Sequence, residues 1–162
     1  MAFSPKAWTN RMLTKLNAAA MIDLEERLSD YTDSVAAGGV ELGYAQITSA
    51  FTQTGAGASD VTGLSVTVTV GSRPIVVILA AESMSLSSAS GLGGAIIQEG
   101  ATVLAATSVG LTTIGFPVNR RVRLTPSAGS HTYKIVLNQL VTGNTTLAAS
   151  ATGPASIQVI EV

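Results

Sequence analysis

The chain of 162 residues has no cysteine, one histidine, 4% aromatic residues and 12% charged residues. Without cysteine there is no disulfide framework, no thiolate zinc site and no thiol nucleophile. A lone histidine cannot build a His-rich metal site except by symmetry about an axis. The charged share is about half that of an ordinary soluble globular protein, so Ser, Thr, Ala and Gly must make up most of the surface. A formal net charge of -1 leaves no basic excess for gripping nucleic acid. The longest apolar run, IVVILAA at 75–81, is far short of the roughly 20 residues that span a bilayer. Lys6, Arg11 and Lys15 lie in the first twenty residues with no apolar stretch between them, so neither a membrane span nor a secretory signal is expected. At 46% hydrophobic the chain is too apolar for disorder, and its length suits one medium domain with an appendage.

What charge there is lies mostly near the start. Residues 1–16 hold three cations and no carboxylate, whereas 17–41 hold Asp23, Glu25, Glu26, Asp30, Asp33 and Glu41 against the single cation Arg27. From Leu42 onward the cations are Arg73, Arg120, Arg121, Arg123 and Lys134, and the acids Asp60, Glu82, Glu99 and Glu161. So little charge over so much apolar sequence favours association, which points to an oligomer or a part of a larger assembly; a Ser/Thr-surfaced monomer is the alternative.

Asn17 is an N-cap residue before Ala18, Ala19 and Ala20, Leu16 and Met21 stand at staple positions, and Gly38 and Gly39 form the stop, so a helix is expected over 17–39. Within it Met21, Leu24, Leu28, Tyr31 and Val35 are spaced 3, 4, 3, 4, a coiled-coil seam of about two heptads. A stripe on so short a helix needs a partner, either a second copy or the chain's own β-domain. Two heptads of this composition do not choose between two and three strands.

From Tyr44 the period falls to 2 and turn residues recur every eight to twelve positions. Strands are expected at 44–51, 64–70, 75–81, 95–98, 102–106, 121–125, 131–138, 146–150 and 157–161. LSVTVTV alternates strictly, with Leu64, Val66, Val68 and Val70 inward. PIVVILA is continuous, as in a central strand buried on both faces, between the core and either a neighbouring subunit or a covering loop. Strands in this number over 40–162 predict a mainly β fold, an antiparallel jelly-roll-type β-sandwich preceded by an extended arm (1–16) and one helix. SMSLSSASGLGG at 83–94 reads as a long mobile loop.

Catalytic groups are scarce in the β-domain. His131 follows a turn at 127–129 and reads as an exposed or cross-strand residue rather than a base. Gly91, Gly93 and Gly94 lack the lysine and following helix of a phosphate loop and read as loop flexibility. Arg120, Arg121 and Arg123 are the one basic run. Alternation puts Arg121 and Arg123 on one face, either a solvated strand face or a contact with a sister subunit or a negatively charged neighbour.

Two segments carry a resemblance. A basic, aromatic-containing lead followed by LTKLNAAAMIDLEERLSDYTD resembles the start of small virion proteins of tailed bacteriophages. SAGSHTYKIVL with the closing PASIQVIEV resembles trimeric jelly-roll domains of phage head-decoration, head-fibre and tail proteins. The resemblance implies a homotrimeric, non-enzymatic virion protein on the particle exterior, made in the bacterial cytoplasm, with no cofactor and with neither nucleic acid nor membrane as partner. On that reading Phe3, Lys6, Trp8, Arg11, Met12, Leu13 and Lys15 form an arm that docks on the major capsid protein or another virion protein, with Trp8 as anchor. The leading role is capsid decoration. A tail or fibre component whose β-domain binds a host glycan is the alternative, and the scarcity of Trp and Tyr past Gly43 counts against it.

Overall fold

Strict alternation at 64–70 requires a sheet with one dry face, and β3 (Gly57–Val70) is such a strand. Leu64, Val66, Val68 and Val70 are buried, while Ser65, Thr67 and Thr69 are exposed. The computed structural model describes residues 39–110 and 112–162, and the helix and arm expected over 1–39, with their seam and docking residues, lie outside the described residues apart from Gly39. That glycine sits at φ 80°, and a Cβ on it would meet Ile160 Cγ2 at 2.1 Å.

Among the described residues ten antiparallel strands form two sheets. In the first, β4 (Ile75–Leu86) is central. β7 (Phe116–Leu124) pairs along one of its edges. Along the other, β10 (Ala155–Glu161) pairs with the first half of β4 and β9 (Asn144–Ala148) with the second half. Outside these lie β1 (Val40–Ile47) on β10 and β2 (Phe51–Thr54) on β9. The second sheet runs β3, β8 (Gly129–Gln139), β5 (Leu92–Glu99), β6 (Thr102–Gly110). The chain crosses between sheets at β2–β3, β3–β4, β4–β5, β6–β7, β7–β8 and β8–β9, the order of a jelly roll in which β1–β2 and β9–β10 are each one interrupted strand.

The inward faces share one core. Ile75, Val77 and Leu79 of β4 and Ile157 and Val159 of β10 pack with Leu64, Ile97, Ile135 and Leu137 from the other sheet. A short polar node closes the core at the end of β8. Gln139 Nε2 donates to the carbonyls of Leu92, Val141 and Thr142, and Thr145 Oγ1 lies 2.5 Å from Gln139 Oε1. Such groups are tolerated in a core because each has a partner.

Two expectations need correction. The stretch 83–94 is not a long loop: β4 continues to Leu86, with Met84 and Leu86 buried and Ser83 and Ser85 on the other face, β5 begins at Leu92, and only 87–91 connects them. Serine richness masked the period-two pattern, since a hydroxyl at an outward position does not break a strand. Gly93 and Gly94 lie in β5 and are buried; they are glycines because other backbone comes too close for a Cβ, not because the segment must flex. PIVVILA is central, as expected, and Val76, Ile78 and Ala80 on its outer face are half-buried among the described residues.

Candidate functional site

The outer face of the first sheet collects residues from four adjacent strand positions. Arg121 of β7 stands opposite Ile78 of β4, Ile78 opposite Gln158 of β10, and Gln158 opposite Tyr44 of β1. One row further, Arg123, Val76, Ile160 and Glu41 are aligned in the same way. On the other side of the first row the alignment runs Asn119, Ala80, Ser156, Gln46. At about 4.8 Å between neighbouring strands, the three steps from Arg121 to Tyr44 span about 14 Å.

A β-bulge makes this possible. Glu41 and Tyr44 are three residues apart and would alternate to opposite faces in a regular strand, but the register shifts between Glu41 and Gly43, so both point outward. Gly43 turns toward the core, where a Cβ would meet Val66 Cγ2 at 2.6 Å and Val68 Cγ1 at 2.7 Å.

The face has an apolar centre and a polar rim. Val76, Ile78, Ala80 and Ile160 are half-buried, whereas Tyr44, at 46% exposed, and both arginines stand out. The Tyr44 hydroxyl donates to Gln46 Oε1 at 2.7 Å, and Gln158 Nε2 donates to Glu41 Oε2. Arg121 Nε donates to Asn119 Oδ1 at 3.3 Å. Among the described residues Arg73 pairs with Glu161, Lys134 with Asp60 and His131 with Glu99, while Arg120, Arg121 and Arg123 face no carboxylate at salt-bridge distance. An apolar patch rimmed by Arg and Tyr has the anatomy of a macromolecular contact.

Of the basic run, Arg121 and Arg123 share the outer face as alternation requires. Arg120 does not: it pairs with Leu79 on the inward side of the pleat, yet is exposed because β7 is an edge strand. An inward charge on an open edge blocks pairing with a foreign strand. Ile78, Gln158, Tyr44 and Glu41 were not picked out from sequence as site residues. The Tyr-Ala-Gln alternation of β1 was the one available signal, and it does not say which strand lies alongside. His131 belongs elsewhere, at the far side of the core beside Glu99.

No family model matches the chain, and no curated protein matches it. Among solved structures it is similar to the carbohydrate binding module CBM6cm-2 from Cellvibrio mixtus lichenase 5A in complex with cellotriose, at 17% identity over 76% of this chain and 99% of that one, with a TM-score of 0.38. It is also similar to a chain of infectious bursal disease virus Gx strain, at 15% identity over 74% of this chain and 36% of that one, TM-score 0.35. A family two carbohydrate esterase from Cellvibrio japonicus matches at 15% identity over 74% of this chain and 34% of that one, TM-score 0.29. The chain thus spans about a third of the latter two. At these scores the likenesses carry no argument about function, and the β-sandwich rests on its own strand pairing.

Proposed function

We propose that this chain is a non-enzymatic structural protein of a bacteriophage particle, a homotrimeric capsid decoration protein on the virion exterior, whose β-sandwich makes its subunit contact through the outer face of the first sheet. The observation that carries this reading is the half-buried strip of Val76, Ile78 and Ile160, flanked by Arg121 and Arg123 on one side and Tyr44 on the other. Covering that strip removes apolar surface from water, and arginines that face no carboxylate among the described residues gain one from a neighbouring copy or from an acidic partner surface. In the same reading the arm with Trp8 attaches the subunit to the major capsid protein, and binding of many copies stabilises the shell by mass action.

The test is the mass of the full chain by light scattering, beside that of Ile78→Glu, which alters the outer face and leaves the core intact. A trimer that becomes a monomer of unchanged far-UV circular dichroism supports the proposal. A native chain that is monomeric, or a trimer indifferent to Ile78→Glu, removes the sheet face from the assembly.

One observation favours a second reading, a tail or fibre component binding a host glycan: the exposed Tyr44 ring stands beside the amides of Gln46 and Gln158, a stacking surface with hydrogen-bonding groups around it. Retention on immobilised host polysaccharide that is lost in Tyr44→Ala, with the mass unchanged, selects this reading over decoration.

A further inference from the structure

The histidine of this chain is built into a three-part contact at the end of the sandwich where β1 begins. His131 Nδ1 lies 2.5 Å from Glu99 Oε1, at the end of β5, and Nε2 lies 2.8 Å from the carbonyl oxygen of Ser127, in the connection from β7 to β8. Both partners are acceptors: a carbonyl has no proton to give, and neither has an ionised carboxylate. A neutral imidazole carries one N–H and would leave one of these contacts as lone pair against lone pair. The geometry therefore requires a proton at each ring nitrogen.

The ring is also held in place. It stacks on Tyr133, two residues along the same face of β8, with centroids 6.2 Å apart and planes 7° from parallel. On β3 the residue opposite is Val68, which is apolar. The connection 125–128 carries no titratable side chain. Among the described residues Glu99 and Tyr133 are thus the titratable groups that face the ring, and Lys134, on the other side of the pleat, is paired with Asp60.

We propose that Glu99, His131 and the Ser127 carbonyl form a proton-held latch that ties the β5–β6 turn and the β7–β8 connection together, closed while the imidazole carries both ring protons and open once it has lost one. Direction follows from charge. The bond to the Glu99 carboxylate, then the bond to the Ser127 carbonyl, raise the histidine above its ordinary value of 6.5, against a smaller opposing effect of desolvation. A folded midpoint above the unfolded one means that the contact contributes in full below about pH 6.5 and fades as the pH climbs through the folded midpoint. Tyr133, whose buried hydroxyl is pushed up to about 12, stays neutral throughout that range.

A single histidine in the chain makes the test direct. Ring-nitrogen NMR of the full chain, titrated from acid to alkaline pH, should show both nitrogens protonated on the acid side and a midpoint above 6.5. Hydrogen exchange, corrected for its intrinsic pH dependence, should lose protection at 127–133 relative to β4 on crossing that midpoint. Glu99→Gln keeps the latch testable if His131 variants fail to fold. Its amide can donate to a deprotonated Nδ1, so the midpoint should return to 6.5 or below and the pH-dependent opening should vanish. A native midpoint at or below 6.5 overturns the latch, as does pH-dependent opening that persists unchanged in Glu99→Gln.

Discussion

Replacing Gly93 by Ala puts a methyl group where the fold has already placed other atoms. A Cβ at this position would sit 1.9 Å from Thr145 Oγ1, 2.8 Å from the Asn138 carbonyl oxygen and 3.1 Å from Gln139 Oε1. None of the three is a loose end. The Asn138 oxygen is strand backbone, and Thr145 Oγ1 lies at 2.5 Å from Gln139 Oε1 and 3.0 Å from the Asn138 oxygen. Thr145 itself is fully buried between the sheets. Accommodating the methyl therefore means both overpacking, at about 1–3 kcal/mol, and stranding a buried polar group, at a further 1–3 kcal/mol or so. Together they come to about 4 kcal/mol, a large part of the 5–15 kcal/mol that holds a typical domain folded. For a unit of this size that is a fall of about 15 °C in Tm. Urea unfolding of the full chain followed by circular dichroism measures it. The comparison is Gly100→Ala, in the β5–β6 turn at φ 57° with nothing within 4 Å of the added methyl. There the left-handed backbone alone costs about 1 kcal/mol. In the double variant Gly93→Ala, Thr145→Ala the penalty should be less than the sum of the singles, because removing the hydroxyl makes room for the methyl. If Gly93→Ala proves no more destabilising than Gly100→Ala, close packing is not why position 93 is glycine.

Three other outcomes follow from the same structure. Leu79→Ala empties a fully buried site at the centre of β4 and should cost about 3–4 kcal/mol in urea titration, with no change in oligomeric mass. Arg120→Val should leave stability within about 0.5 kcal/mol while raising the rate of light-scattering aggregation, since it removes an inward charge from the open edge of β7; an unchanged aggregation rate refutes the edge-guard role. Trp8→Ala should lower occupancy on purified phage particles in a sedimentation assay while the thermal melt of the β-sandwich stays put; undiminished occupancy rules out Trp8 as the anchor.

Much of the sandwich was legible beforehand because burial imposes a local period. Each expected strand overlaps one in the fold, and 64–70 matches residue by residue. Failures occurred where small polar residues blurred that period. Serines at outward positions of β4 made a strand look like a loop, and the glycines of β5 looked like flexibility although a Cβ there would strike other backbone. At the candidate site the arginine pair was legible, since Arg121 and Arg123 differ by two positions. Their neighbours were not: Tyr44 and Gln158 come from the two ends of the β-unit and lie alongside Ile78 only through pairing of distant strands.

The residues alone show that the chain holds no thiol and a single imidazole, that from Tyr44 onward it alternates into strands with one dry face, and where its few charges stand. Those are properties of composition and of neighbours one or two residues apart. Tertiary structure decided the register. It set β7, β4, β10 and β1 side by side, so that arginines, an apolar strip and a tyrosine share one face. It turned Glu41 and Tyr44 to the same side by a bulge, and brought His131 to a carboxylate 32 residues away. Pleat alternation follows from covalent geometry along one strand, whereas register is settled only when the whole core closes and distant strands choose the pairing that buries the most apolar surface.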